Sequence, residues 1–135
     1  MFLDANIFLE LQLAQEHAEA CKRTLNRVLS GDIKATITDF HVDTVVIVME
    51  NYDKKWNDIA LFLGSLLRYK GLNIYPLSIT DRIKATDIMK DFGLDYDDAL
   101  AVQAMKRSSI KTIVSYDEDF DSISHVKRVV PEELK

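Results

Sequence analysis

The sequence has one cysteine, Cys21, so no disulfide can form within the chain. Its place in an amphipathic helical pattern reads as a small buried hydrophobe, and it is given no chemical role. Long apolar runs are absent too: Val45 to Met49 is among the longest, against the roughly 20 apolar residues a helix needs to cross a bilayer. The opening Met1-Phe2-Leu3-Asp4 has neither the basic start nor the apolar stretch of a signal peptide, which leads us to expect a cytoplasmic protein that meets no membrane. Positive charge is in deficit, with 17 Lys and Arg against 22 Asp and Glu and a net charge of −5. That balance speaks against binding nucleic acid by bulk electrostatics. A nucleic-acid enzyme of this composition must neutralise itself locally, and bound metal ions are one way to do so.

What is present is ordinary for a folded chain. A composition 47% hydrophobic and 29% charged excludes a disordered protein, and 135 residues suffice to bury one core between a sheet and its helices. The expectation is a single domain over residues 1–135, without repeats or low-complexity segments. Phe2-Leu3 reads as a short strand ending at Asp4. Ala18, Cys21, Leu25, Val28 and Leu29 mark a helical face from Glu16 to Leu29 that stops at Gly31. Lys34 to Ile37 reads as a strand, and Thr38-Asp39 offers caps for a helix with Val42, Val45, Val46 and Met49 on one face. Further helices are expected over Asn57 to Tyr69, from a Thr80 cap to Gly93, and over Asp95 to Arg107. Strands are expected at Leu72 to Leu77, Thr112 to Ser115 and Arg128 to Val130. Alternating strands and helices imply a parallel sheet covered on both faces, whose working site lies beyond the carboxyl ends of the strands.

Acidic residues gather at that edge. Asp4 follows the first strand, and Asp117, Asp119 and Asp121 follow the fourth. Asp97 and Asp98 open one helix, and Asp39 and Asp43 open another. Carboxylates held together repel unless they are protonated, hydrogen-bonded or bound to a cation, and hard oxygen donors suit Mg²⁺ or Mn²⁺. Asp39 and Asp95 are read as helix caps. Asp53, Asp58, Asp81, Asp87 and Asp91 are read as turn or surface residues.

Four segments resemble the motifs of the PIN domain nucleases, a family that includes the VapC-like toxins of toxin–antitoxin systems. Phe2-Leu3-Asp4-Ala5-Asn6 resembles the opening motif. Thr38 to Asp43 resembles the second, Asp98-Ala99-Leu100 the third, and Val114 to Phe120 the fourth. They occur in family order along the whole chain. The resemblance implies an α/β/α sandwich around a parallel sheet of about five strands and a Mg²⁺- or Mn²⁺-dependent endoribonuclease. It further implies Asp4, Asp98 and Asp117 as metal ligands, with Asp119 as an auxiliary. The second motif departs from the pattern: the family's usual glutamate falls at Asp43 or Thr44, and Asp43 is chosen as the fourth catalytic carboxylate. RNA as substrate, a protein antitoxin as partner and a homodimer also follow from the resemblance.

Two rivals stand beside this reading. One is a catalytically silent PIN module for RNA binding or assembly, and the other is a receiver-like signalling domain, which also binds magnesium at strand ends. Asn6 reads equally as a support for a ligand carboxylate or as a helix cap, and Ser115 as the end of a strand. His41 reads as a satisfied histidine on the surface or at the sheet edge, and His17, His41 and His125 show no zinc spacing. Lys54, Lys55 and Trp56 read as a charged loop with one aromatic. Arg68, Lys70, Lys106, Arg107 and Lys111 read as solvated faces unless they line the acidic cleft.

Overall fold

The computed structural model describes residues 1–134. Strand β1 (Phe2–Leu3) leads through helices α1 (Ala5–Gln12) and α2 (Ala18–Ser30) to β2 (Ala35–Thr38). Helices α3 (Asp39–Asn51) and α4 (Trp56–Leu66) then lead to β3 (Leu72–Tyr75). A helical hairpin of α5 (Ile79–Phe92) and α6 (Tyr96–Arg107) precedes β4 (Thr112–Val114) and β5 (Lys127–Val129). Short 3₁₀ turns occupy Glu118–Ser122 and Pro131–Glu133. No helix among the described residues is long and apolar enough to cross a membrane.

The five strands are all parallel, in the order β3-β2-β1-β4-β5. The chain leaves β1 toward β2 on one side and later passes back to β4 on the other, so the order reverses between β1 and β4. A crevice opens at the carboxyl ends of strands at such a reversal, which places Asp4 and the segment after Val114 at its mouth. A receiver-like domain has the order 2-1-3-4-5, so the observed order removes that rival.

Side-chain alternation along the strands divides the interior in two. Leu3, Ile37 and Val114 pack with α1 to α4, whereas Phe2 and Ile113, one residue earlier in their strands, pack with α5, α6, Phe120 and Ile123. The result is a sheet between two helical layers. The β-branched run of α3 stays helical because Val42, Val45 and Met49 fall on one stripe and are buried.

Three local readings need correction. Helix α1 was not anticipated, because it is only eight residues long and the consecutive buried Ile7, Phe8 and Leu9 hide its helical period. The cap of α5 is Ser78 rather than Thr80, and it exchanges bonds with Asp81 in a capping box. Asp81, read as a surface residue, is buried and accepts bonds from Tyr75 Oη at 3.1 Å and Gln103 Nε2 at 3.1 Å, which ties α5 to α6 and β3. Gly71 marks a close approach of backbone, since a Cβ there would lie 2.1 Å from the Ile33 carbonyl oxygen.

Candidate metal centre

Asp4 ends β1 and caps α1, with Oδ1 accepting from the Asn6 amide at 3.4 Å. Its own amide donates to the Val114 carbonyl at 3.1 Å, which extends the pairing of β1 with β4 by one step and sets Asp4 beside Ser115. Ser115 is completely buried and does more than end a strand. Its Oγ donates to Asp4 Oδ2 at 2.5 Å and accepts from the Asp117 amide at 3.0 Å. One hydroxyl thus couples the first acidic segment to the last.

Beyond it, Asp117 caps the 3₁₀ turn and its Oδ1 accepts from the Asp119 amide at 2.9 Å. This bond turns two alternate residues of the acidic run toward one point. Asp121 is held elsewhere, in a two-pronged pair with Arg128 at 2.9 and 3.0 Å that keeps its carboxyl below the usual range. Arg128 also donates to the Ser115 carbonyl at 3.2 Å. The aspartates of the run Asp117 to Asp121 therefore divide: Asp117 and Asp119 belong to the gathered group and Asp121 is neutralised.

Asp98 comes from the opposite side, in the first turn of α6, and is buried although its neighbour Asp97 is exposed. One carboxylate oxygen from each of Asp98, Asp117 and Asp119 lies within 4.8 Å of the others. Burial pushes the Asp98 carboxyl up to about 8, reinforced by the negative charges of Asp97, Asp117 and Asp4. Asp4 is also raised, chiefly by burial, and the Ser115 bond opposes that rise. Among the described residues no ion pair links a lysine or arginine to this cluster. Three hard oxygen donors gathered this closely fit Mg²⁺ or Mn²⁺, which take carboxylate oxygens and leave positions for water and phosphate.

His41 forms part of the wall. Expected as a satisfied histidine on the surface or at the edge, it is satisfied but buried. Its Nε2 bonds the Asp97 carbonyl at 2.9 Å, its Nδ1 bonds the Thr38 hydroxyl, and its ring meets Phe2 edge-on. The carbonyl can only accept, so Nε2 carries the proton and Nδ1 accepts from Thr38, whose Oγ in turn accepts the His41 amide at 3.0 Å. Every donor and acceptor is used by a neutral ring, and burial likewise lowers its affinity for a second proton. The ring fastens α3 to the start of α6, one residue before Asp98.

The remaining candidates lie apart from this group. Asp43 is exposed on α3 and is not among the three gathered carboxylates. Two residues past His41, it lies roughly 200° further round a helix of 3.6 residues per turn. Thr44 is half-buried and donates to the Phe40 carbonyl at 3.0 Å. Asp39 is the first residue of α3, the cap being Thr38, and its Oδ1 accepts from the Leu77 amide at 3.1 Å, fixing the end of β3. Asp95 holds the cap position of α6 without a side-chain bond. Asn6 is exposed and meets Asp4 only through its backbone. Cys21 is buried, and burial pushes its thiol up to about 11, as befits an inert side chain. Sequence reasoning weighed Ser115 and His41, which lie inside the fourth and second motif segments, and favoured a strand end for the one and a satisfied surface or edge histidine for the other.

Comparison with known proteins places this geometry in context. Residues 1–126 match the family model described as PIN domain. Among solved structures, the Mycobacterium tuberculosis toxin VapC20, described as cleaving the sarcin–ricin loop, superposes with a TM-score of 0.75 at 12% identity, over 93% of this chain and 96% of that one. A toxin–antitoxin complex from Klebsiella pneumoniae gives 0.70 at 16% identity, over 96% of each chain. VapBC2 from Rickettsia felis, bound to a DNA fragment from its promoter, gives 0.71 at 15%, also over 96% of each. No curated protein matches the sequence. The family match spans nearly the whole sequence and includes every residue of the acidic crevice, so the chain belongs to the PIN domain family.

Proposed function

We infer that the chain is a Mg²⁺- or Mn²⁺-dependent endoribonuclease, organised as a single domain, that hydrolyses RNA phosphodiester bonds at the carboxyl edge of the sheet. The observation that carries this reading is the triad Asp98, Asp117 and Asp119, one oxygen from each lying within 4.8 Å of the others, with no lysine or arginine among the described residues paired to them. Membership of a family of nucleases supplies the reaction class. The description of VapC20 as a sarcin–ricin loop cleaving toxin supports RNA as the substrate. Asp98, Asp117 and Asp119 would hold the ions, with Asp4 joining the set from β1; bound there, they would supply a water of lowered pKa and countercharge for the phosphate oxygens. Ser115 keeps Asp4 and Asp117 in register, and neutral His41 holds the first turn of α6 in place.

The toxin–antitoxin relatives support a protein antitoxin as partner. Ile47, Trp56, Leu61 and Leu67 stand exposed on α3 and α4, an apolar surface that suits such a partner or a second copy in a homodimer. A cytoplasmic location accords with an RNA substrate. One observation favours the silent-module reading: Asp43, the carboxylate expected to complete the site, stands outside the gathered group.

Incubation of the purified protein with structured and single-stranded RNAs in Mg²⁺, Mn²⁺ or EDTA decides between them. Cleavage supported by either ion and abolished by EDTA is expected. Cleavage that persists in EDTA, with contaminating nuclease excluded, overturns the metal mechanism, and no cleavage of any RNA favours the silent module.

A further inference from the structure

The opposite edge of the sheet has the reverse charge. Lys34 and Lys111 immediately precede β2 and β4, Lys127 opens β5, and Lys70 precedes Gly71 at the start of β3. Strand register places three of them together: Ala35 pairs with Leu72, Phe2 with both Thr36 and Ile113, and Thr112 with Lys127. Lys34 and Lys111 therefore lie at the same level, Lys127 stands one residue further along, opposite Thr112, and the Lys127 amide donates to the Lys111 carbonyl at 2.7 Å. Lys106, in the last turn of α6, joins them. With strands about 4.8 Å apart, the row crosses roughly 19 Å of sheet from β3 to β5.

Three adjoining concavities of about 380, 320 and 260 Å³ lie along this edge. The first is flanked by Lys34 and Lys70, the second by Lys111 and Lys127, and the third by Lys106 and Lys111. Ile110 joins the first to the third, and Lys111 with His125 joins the second to the third. None is lined by a carboxylate, in a chain with more acidic than basic residues. All five lysines are exposed, and among the described residues none is in an ion pair.

We propose that this amino edge is a docking face for the phosphodiester backbone of a nucleic acid, separate from the acidic edge and indifferent to base sequence. Five unneutralised lysines in line repel one another, and a polyanion relieves that repulsion while releasing its own counterions. The row contains lysines only, which act as point charges, whereas carboxylates of an acidic protein are best met by the forked geometry of arginine. No Phe, Tyr or Trp lines the three concavities, and the one ring there, His125, packs edge-on against Phe92, so the contact is made chiefly to phosphate. The inference takes from the proposed function only the choice of RNA as first probe; binding is read without catalysis.

The test measures fluorescence anisotropy of a labelled single-stranded RNA of about 20 nucleotides, and of DNA of the same sequence, with the whole protein in EDTA at increasing salt. The expected log–log dependence of affinity on salt has a slope of about −3.5, from five lysines at roughly 0.7 each on a single strand. The triple variant Lys34→Gln, Lys111→Gln, Lys127→Gln loses tenfold or more in affinity, and its slope shrinks by about 2. A control with the same change in net charge, Lys22→Gln, Arg23→Gln, Lys90→Gln, stays within about twofold of the parent. Binding of RNA and DNA alike supports backbone recognition, and binding of RNA alone keeps the face and narrows its ligand. Equal losses in the two triple variants, no loss in the first, or no binding of either nucleic acid overturns the proposal. Displacement of RNA by an equal length of polyglutamate assigns the face to an acidic protein instead. A chain that binds but never cleaves retains this face and loses only the proposed activity.

Discussion

The two edges of one sheet carry opposite charge and are built by different means. At the carboxyl edge, acidic groups run from buried Asp98 through half-buried Asp4 and Asp117 to exposed Asp119 and are cross-linked: Ser115 joins Asp4 to Asp117, Asp117 turns Asp119, and His41 secures the turn that carries Asp98. At the amino edge, lysines extend outward and touch no carboxylate. Depth separates the two. Buried charges respond to protons and to a compact cation, while exposed charges respond to salt and to an extended polyanion.

The sharpest way to break this contrast is to remove a charge from the buried side. Asp98→Asn keeps the shape and deletes a ligand, and we expect metal-dependent cleavage to fall by roughly 100-fold or more, since even supporting groups around a metal typically cost 10- to 100-fold. The magnesium-induced rise in Tm should shrink along with it, because a ligand that binds only the folded state stabilises by mass action. Parallel assays and thermal scans check this, and an equal magnesium shift in parent and variant removes Asp98 from the site.

Protons provide the next lever. The folded pKa of Asp98 lies above its unfolded value, at about 8, so between about pH 4 and pH 8 the folded state binds more protons than the unfolded one. Stability of the metal-free protein therefore falls as pH rises through that window. Thermal melts in EDTA at several pH values should show that fall, and Asp98→Asn should flatten it. Magnesium should stabilise the parent more at pH 8 than at pH 5.5, since protons then compete less for the ligand.

A smaller effect is expected from Ser115→Ala. It leaves every carboxylate in place and removes the link between Asp4 and Asp117, so metal affinity should weaken by about tenfold. Stability should change by only about 1 kcal/mol, the usual net worth of one hydrogen bond. Magnesium titrations followed by Tm test it, and an affinity equal to the parent's removes the coupling role. The smallest loss is expected from Asp43→Asn, because that side chain is exposed and apart from the triad. A loss of cleavage as deep as that of Asp98→Asn places Asp43 in the catalytic set.

Much of this architecture was legible in the residues. Alternation announced the parallel sheet, and four acidic motifs in family order announced the crevice. What escaped depended on contacts between distant segments. Helix α1 is short and carries three consecutive buried residues that hide its period, and Asp81 looks like a surface residue until Gln103 and Tyr75 close over it. Ser115 reads as the end of a strand until β1 pairs alongside and brings Asp4 to it. The lysines before β2, β3 and β4 were visible as letters, but their meeting on one edge needed the strand register.

The Ser115 bond to Asp4 also spans 111 positions in the chain, with β1 inserted as the middle strand between its later neighbours. A pairing between such distant segments cannot close until Ser115 has left the ribosome. At about 5–20 residues per second, that delay is roughly 6–20 seconds after Asp4 is made. Incomplete chains therefore lack the assembled carboxylate set however well their early helices have folded. Order of synthesis imposes a time lock on the crevice, and a fragment ending before Asp117 has none of the chemistry proposed for the whole.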